Sequence, residues 1–436
     1  MPDLTDFRAS LDGELTSPDY ARRGPRPRLV VLCRSISDVV NTIRFASTTG
    51  DHIAVRGGGH CFAGRSSTDG IVLDTSGLDG IAVADDGVAV VGAGSRLGQL
   101  YTALHTHGRT LPAGCGPTVG IAGLTLGGGI GLLGRRYGLT CDRLVAAQIV
   151  LADGSVVNCD QHREPDLFWA LRGAGGGQFG VVTALLFDSV EEPTTTRIEA
   201  HWPNVAAERV AIAWQDWAPD APDELTVNLT LATGPGVPVR ATLSGAATLG
   251  EKATRDLLRQ FTGLAGAAAT VEVRAGLPYL RLKETFADPR GSTGHAPRIR
   301  SEFFSRSMSE HTLAALLARL RDPGTVGRRQ LTFTAMGGAY NRVAPDATAF
   351  THRRERFLLE HIGEATDPWV DDSWAVAHAD GSGHVYPNFP DPALDDWATA
   401  YHGDNYPRLL AVKDAYDPRR LFTFPQAVSS APQGEA

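Results

Sequence analysis

Arg56-Gly57-Gly58-Gly59-His60 sets a guanidinium, three glycines and an imidazole in one short run. Consecutive glycines accept positive φ and let backbone N–H groups approach an anion closely. Arg56 beside them suits a phosphate or a negatively charged ring. Taken singly, the run reads equally well as a tight turn beside a hydrogen-bonded histidine. It is not alone. PAGCGPTVGIAGLTLGGGIG carries eight glycines between Gly114 and Gly131, and GAGGGQFG (173–180) repeats the theme. A turn needs one or two glycines, whereas this density suits backbone laid along an extended ligand such as a dinucleotide. Gly129-Ile130-Gly131-Leu132-Leu133-Gly134 also satisfies GxGxxG, with Asp153 about 20 residues on. That fingerprint requires an apolar strand immediately before Gly129. The preceding GCGPTVGIAGLTLG cannot form one, and a nicotinamide site would leave Arg56–His60 unexplained.

Other chemistries find little footing. Among thirteen histidines there is no HExxH, and His105 and His107 stand two apart on a predicted helix, facing different ways, so no metal is expected. No GxSxG elbow is present. Five widely spaced cysteines (Cys33, Cys61, Cys115, Cys141, Cys159) without a CxxC pair argue against a disulfide framework and for a reducing cytoplasm. The start of the chain lacks a charged-then-apolar leader, and nowhere do eighteen apolar residues run together. A formal charge of −8 argues against nucleic acid or an anionic membrane as partner.

The elements that must hold these loops follow from periodicity. At 436 residues, two domains are expected. LVVLC reads as a strand, Ser37 caps a helix closed by Gly50, and IAVRGGGH runs a strand into the first loop. VAAQIVLADGSVV reads as a hairpin turning at Asp153-Gly154. After the polar EEPTTT, strand-like runs (LTVNLTLATG, VPVRATL, ATVEVRA, LTFTAMGGAY) alternate with amphipathic helices near 252–264, 310–320 and 348–361, which predicts an antiparallel sheet backed by helices. Asp371, Asp372, Asp391, Asp395 and Asp396 read as solvated turn residues.

RGGGHCFAGRSSTDGIVLDTSGL, the second loop through LVAAQIVLADGSVV, DLFWALRGAGGGQFGVVT, and VYPNFPDP with YHGDNYPRLLAVKDAYDPRRLFTFPQ together resemble the berberine-bridge-enzyme-like flavoproteins of the vanillyl-alcohol-oxidase superfamily. The resemblance spans roughly 20–190 and 380–428 and is only general in between. It implies an α+β fold: a two-part FAD-binding domain (1–195 and 386–436) and an inserted substrate domain of antiparallel sheet plus helices (196–385). It implies FAD joined covalently to His60, a tether that prevents cofactor loss and makes the ring a stronger oxidant. Gly57, Gly58, Gly59, Gly64 and Ser66 would cradle the pyrophosphate. Arg56, Cys115, Gly116, Thr118, Val119, Gly120, Gly123, Gly127, Gly128, Gly131, Gly180, Val182 and Asn388 would complete the cofactor site.

Many relatives bond the ring a second time through a cysteine in Gly-x-Cys-Pro-x-Val-Gly. Here Gly116 occupies that position and Cys115 stands one residue early. In extended backbone a one-residue shift turns a side chain to the opposite face. A single bond through His60 is therefore expected, with Cys115 the open question. Gln178 stands where Asn is usual, and His402 where an aromatic is frequent.

Val119 occupies the family's dioxygen-gating position, where a small side chain implies an oxidase releasing hydrogen peroxide. Oxidising an alcohol or amine carbon also needs a base. The family's Tyr-x-Asn segment matches Tyr386-Pro387-Asn388, making Tyr386 the expected base. Tyr340 and Asn341, on a predicted strand, are candidate partners for its anion. The expected protein is a monomeric or homodimeric FAD oxidase acting on a hydroxyl-bearing (or amine) carbon of a sugar, glycoside or specialised metabolite, with dioxygen as acceptor. A dehydrogenase of the same fold and a flavin-binding protein without turnover are the alternatives.

Overall fold

The computed structural model describes residues 4–16, 24–202, 207–287, 297–322 and 327–429. Its first sheet follows from short apolar runs. Leu29–Leu32, Ile71–Asp74 and Ile53–Arg56 pair in parallel, in that order, with Glu14–Thr16 antiparallel on the outer edge. The crossover helix Ile36–Thr49 is capped at Ser35, whose hydroxyl accepts the Asp38 N–H while the Asp38 carboxylate returns the bond, and it closes on left-handed Gly50.

The second sheet is antiparallel, ordered Ile81–Val83, Val88–Gly92, Val181–Asp188, Leu144–Val150, Val156–Asp160. The last two strands form the expected hairpin. Asp153 sits in its turn and accepts the Ser155 N–H at 2.8 Å, so it has no part in a dinucleotide fingerprint. The element before Gly129 is the short helix Ile121–Leu126, not a strand.

The third sheet runs Thr270–Pro278, Thr194–Trp202, Val237–Ala247, Leu225–Gly234, Arg329–Ala335, Phe357–Gly363, Arg298–Phe304, all antiparallel. Most of its strands alternate. Leu225, Val227, Leu229, Leu331, Phe333, Phe357 and Leu359 are buried in one core with Trp214, Phe261, Leu316 and Val370 of the helices Ala207–Trp217, Glu251–Ala265, Glu310–Leu320 and Trp369–His378. The other register (Thr226, Asn228, Thr334, Leu358, Glu360) faces away from those helices. A period of two thus separates a packing face from a working face.

Four expectations need correction. The first helix is capped by Ser35 rather than Ser37, because the Asp38 carboxylate completes a reciprocal pair only with Ser35. Residues 348–361 do not form a helix: 348–356 are irregular and Phe357–Gly363 is a strand, because FLLEHIG satisfies strand alternation once it pairs with strands on both sides. Tyr340 and Asn341 sit not on a strand but on the single turn Gly338–Asn341, since Gly337 and Gly338 adopt positive φ and end the strand at Ala335. Of the carboxylates read as solvated turn residues, Asp371 and Asp372 lie in the first turn of the helix Trp369–His378, and Asp391 is buried with its carboxylate 2.5 Å from Arg300 Nε.

The chain's end returns to the first half. Leu409, Val412 and Val428 share a core with Ile149, Leu185 and Phe187 of the second sheet. Lys413 is fully buried, donating to the Phe422 carbonyl at 2.6 Å and pairing with Asp417 at 2.7 Å. The junction to the third sheet is held by Arg135, 1% exposed, which donates to the carbonyls of Leu225 (3.0 Å), Pro219 (2.8 Å), Met336 and Ala221. Arg135→Ala would strand these acceptors, and a loss of about 3 kcal/mol or more is expected. Denaturant unfolding of the purified protein checks this; an unchanged midpoint would refute it.

Candidate active site

The first two glycine loops cross backbone to backbone. A Cβ on Gly58 would overlap the Gly120 amide, and a Cβ on Gly120 would overlap Gly58. The crossing brings His60 Nε2 to 3.0 Å from Thr118 Oγ1. Around it lies a cavity of about 870 Å³, reaching from Pro25, Ile53 and Ser66 to Thr226 and Glu360 on the working face of the third sheet. That volume lies near the top of the range for small-molecule and cofactor sites.

The glycines divide by what they face. Side chains on Gly127, Gly128, Gly129, Gly131 and Gly134 would strike Asn388, Phe350, Thr140, Ala113 and Tyr340, so these glycines admit other protein groups rather than a ligand. Gly57, Gly123 and Gly176 are different. They line the cavity, and a Cβ on them would meet no protein atom within 3.7 Å. Backbone left bare against open space is what an extended ligand needs, and the residues present fit FAD.

Of the sequence-predicted residues, Gly57, Gly58, Gly59, His60, Gly64, Ser66, Cys115, Val119, Gly120, Gly123, Gly131, Gly180, Val182, Asn388, Tyr340 and Tyr386 line the cavity. Arg56, Gly116, Thr118, Gly127, Gly128 and Asn341 do not. Arg56 lies 3.8 Å from Asp74 and packs beneath Gly59. Asn341 donates to the Glu355 carbonyl at 2.9 Å. The guanidinium that does line the cavity is Arg65, held by Gln426 at 2.6 Å and stacked over Phe424. Cys115 lines it and Gly116 does not, because the segment 111–119 is irregular and strand alternation has no hold there. Buried Lys283 donates to the carbonyls of Ala113 (2.7 Å) and Gly114 (2.8 Å) and lies 3.5 Å from Cys115 Sγ.

Tyr386 is the most constrained group on the wall. Its phenol oxygen accepts the N–H of Gly129 (3.0 Å), the N–H of Ile130 (3.1 Å) and Asn388 Nδ2 (3.0 Å). Among the described residues nothing accepts its own proton. Three donors suit a phenolate, which has lone pairs for all of them. Burial works against the anion and outweighs the three donors that pull the other way, leaving the phenol pushed up to about 12. Tyr340 is different: its hydroxyl both donates to the Gly131 carbonyl (2.8 Å) and accepts the Gly131 N–H (3.1 Å), a neutral and fully satisfied arrangement.

Glu360 is not singled out by the sequence. Its carboxyl lines the cavity, and burial alone raises it to about 7. The available signal is an acid within the apolar run Phe357-Leu358-Leu359-Glu360-His361-Ile362, legible only once that run is recognised as a strand.

Glycine loops that leave backbone bare along a large cavity, on a mixed α+β scaffold, suit an extended cofactor such as FAD. Comparison with known proteins agrees. The FAD binding domain family matches residues 27–160, and the berberine and berberine-like family matches 385–429. The chain is 33% identical over 427 residues to the uncharacterised FAD-linked oxidoreductase YgaK of Bacillus subtilis, covering 92% of this chain and 91% of that one. It is 28% identical to a chitooligosaccharide oxidase of Gibberella zeae, over 97% and 92% of the two chains. Its structure matches BBE-like 1 of Physcomitrella patens at a TM-score of 0.90 and 26% identity, over 98% and 99% of the chains. The protein belongs to the berberine-bridge-enzyme-like family of FAD-linked oxidoreductases. Among the described residues, no helix is long and apolar enough to cross a membrane.

A pH dependence follows from Glu360. Its folded value of about 7 lies above its ordinary 4.5, so the native state holds the proton longer than the unfolded chain. Stability should fall as pH rises from about 4.5 to 7 and level off above that. Glu360→Gln should remove that slope, as read from unfolding temperatures between pH 4.5 and 8. A variant that keeps the slope places its origin elsewhere.

Proposed function

We propose that this protein is an FAD oxidase that takes hydride from a hydroxyl-bearing carbon of a sugar or glycoside and passes the electrons to dioxygen, releasing hydrogen peroxide. The carrying observation is the phenol oxygen of Tyr386, held by three donors on the wall of a glycine-lined cavity. Bound FAD supplies the two-electron, hydride-accepting chemistry. Everything else falls to the chain's own groups.

His60 is the covalent anchor, poised at the loop crossing against Thr118. The bare backbone of Gly57, Gly123 and Gly176 receives the length of the cofactor, and Arg65 neutralises phosphate charge. Tyr386 takes the substrate's hydroxyl proton as a phenolate, the form its three donors favour. Val119, a small side chain on the cavity wall, leaves room for dioxygen.

The sugar assignment draws on the working face of the third sheet. Thr226, Asn228, Thr334 and Glu360 line the cavity together, two hydroxyls, an amide and a carboxyl on one face. A polyhydroxylated substrate brings partners for such groups; an apolar one leaves each it covers unpaired at a cost of about 1–3 kcal/mol.

Two observations favour second readings. Glu360, at about 7, ionises near neutral pH and is itself a candidate base. Cys115 lines the cavity, with Lys283 Nζ 3.5 Å from its sulfur, so its thiol has access to a ring bound there.

Stopped-flow reduction of the flavin under anaerobic conditions separates the bases. With a substrate found by peroxide release on a panel of sugars and glycosides, Tyr386→Phe should slow reduction by about 10²- to 10⁴-fold with the bound-flavin spectrum retained. Glu360→Gln should cost less than about tenfold. The reverse order transfers the base to Glu360. Acid-precipitated protein should stay yellow, and digestion should place the flavin on the His60 peptide. A colourless pellet would remove the covalent anchor, and an adduct on the Cys115 peptide would establish the second bond.

A further inference from the structure

His352, Glu355 and His384 meet outside the cavity, behind the wall that carries Tyr386. One ligand atom from each lies within 4.8 Å of the other two. His352 is 1% exposed, and its Nε2 lies 3.0 Å from the Tyr401 carbonyl. A carbonyl only accepts, so Nε2 carries the ring proton and Nδ1 presents a bare lone pair. Among the described residues that buried Nδ1 has no partner, and neither does Oε2 of Glu355. The other carboxylate oxygen, Oε1, lies 3.0 Å from His384 Nδ1. The His352 and His384 rings stand 4.9 Å apart, and only His384, about one-third exposed, opens toward solvent.

Two buried acceptors in one cluster, each without a donor, form an arrangement that a neutral interior penalises. A cation relieves both. The geometry points to a site for a zinc-class divalent transition metal, ligated by His352 Nδ1, a carboxylate oxygen of Glu355 and His384, with water in the fourth position on the His384 side. The donor set selects the metal. Two imidazoles and one carboxylate suit Zn²⁺, Co²⁺, Ni²⁺ or Cu²⁺ and are poor for Mg²⁺ or Ca²⁺, which require more oxygens. The Tyr401 carbonyl fixes the His352 tautomer from outside the ligand set, as such partners do at histidine–metal sites. The nearby Arg353 guanidinium is already engaged by Asp142, 2.6 Å away.

The position gives the metal a purpose. None of the three residues lines the cavity, so the ion would touch neither flavin nor substrate. His384 precedes Tyr386 by two residues, and its carbonyl accepts the Phe303 N–H at 2.8 Å. Glu355 precedes Glu360 by five, and its carbonyl accepts Asn341 Nδ2. A cation here would fasten together the two backbones that present Tyr386 and Glu360. The sequence sets His352 and Glu355 three apart, but His384 lies 29 residues beyond Glu355, so the three do not form a local motif.

The test uses flavin-loaded protein stripped with a chelator and titrated with Zn²⁺, Co²⁺ or Mg²⁺. Zn²⁺ should bind at one per chain by calorimetry and elemental analysis and raise the unfolding temperature, by about 4 °C at a hundredfold excess over Kd. Co²⁺ should give the visible absorption of a four-coordinate site, and Mg²⁺ should not bind. Glu355→Gln and the more exposed His384→Ala should each weaken Zn²⁺ binding by about 100-fold or more while the protein stays folded and yellow. His352→Asn serves where alanine at that buried position prevents folding. No uptake of Zn²⁺ or Co²⁺ by the folded protein, or uptake that both variants leave unchanged, overturns the site.

Discussion

Gly58 and Gly120 touch through their backbones, and much of the site is arranged around that contact. Neither position has room for a Cβ, because each would enter the other's peptide. The contact is short-range and non-negotiable: a methyl group on either loop forces them apart by a distance no side-chain rotation can recover. With the loops in contact, His60 meets Thr118 and Val119 joins the same cavity wall. The second loop then continues into the short helix Ile121–Leu126, whose start leaves Gly123 facing open space. Glycine in this chain therefore serves two separate ends, which a count of 49 cannot distinguish. Some glycines let protein approach protein, and a few leave backbone bare for a ligand.

The third sheet supplies the opposite wall by a different rule. Its residues of one parity are committed to the helix-backed core, which leaves those of the other parity free to carry function. Thr226, Asn228, Thr334 and Glu360 can be polar because they contribute nothing to that core. A one-residue slip between Leu225–Gly234 and Arg329–Ala335 would exchange the two sets, burying the polar residues and presenting leucines to the cavity. Arg135 resists rigid-body displacement at this seam by binding carbonyls on both sides of it.

Much of this is legible in the sequence, and the failures have common physical causes. The three glycine loops, His60, the Asp153-Gly154 hairpin and most strands of the third sheet are local in origin: runs of glycine, a turn dipeptide, a period of two. Side-chain direction in irregular backbone is not local. Arg56 and Arg65 both flank the first loop, and only the fold determines that Asp74 draws one aside while Gln426 and Phe424 hold the other at the cavity. Cys115 defeats an alternation argument because the segment has no strand period to obey. Glu360 and the His352–Glu355–His384 cluster are invisible for a third reason. Each depends on which strands and loops become neighbours, and residues 348–361 also admit a helical reading until pairing on both sides makes their second half a strand.

The wall that carries Tyr386 and Glu360 shows how two opposed effects divide a task. Tyr386 and Glu360 are both deprived of bulk water, and burial raises both. For Glu360 nothing opposes it, so a carboxylic acid is left poised near neutrality and responsive to whatever enters the cavity. For Tyr386 three donors oppose it, and the fold places them in advance: two backbone amides fixed by the loop, and one side-chain amide anchored at its other contact to the Leu124 carbonyl, 2.9 Å away. Fixed dipoles of this kind need not reorganise when the charge on the oxygen changes, so they hold the anion at no further cost. In the proposed reaction the two effects then set different properties of one base, Tyr386. Burial makes the phenolate a strong proton acceptor, and the donors raise the fraction of molecules in which that phenolate exists. Either effect alone fails: burial without donors leaves a phenol that never ionises, and donors without burial leave an anion too weakly basic to take a proton from an alcohol.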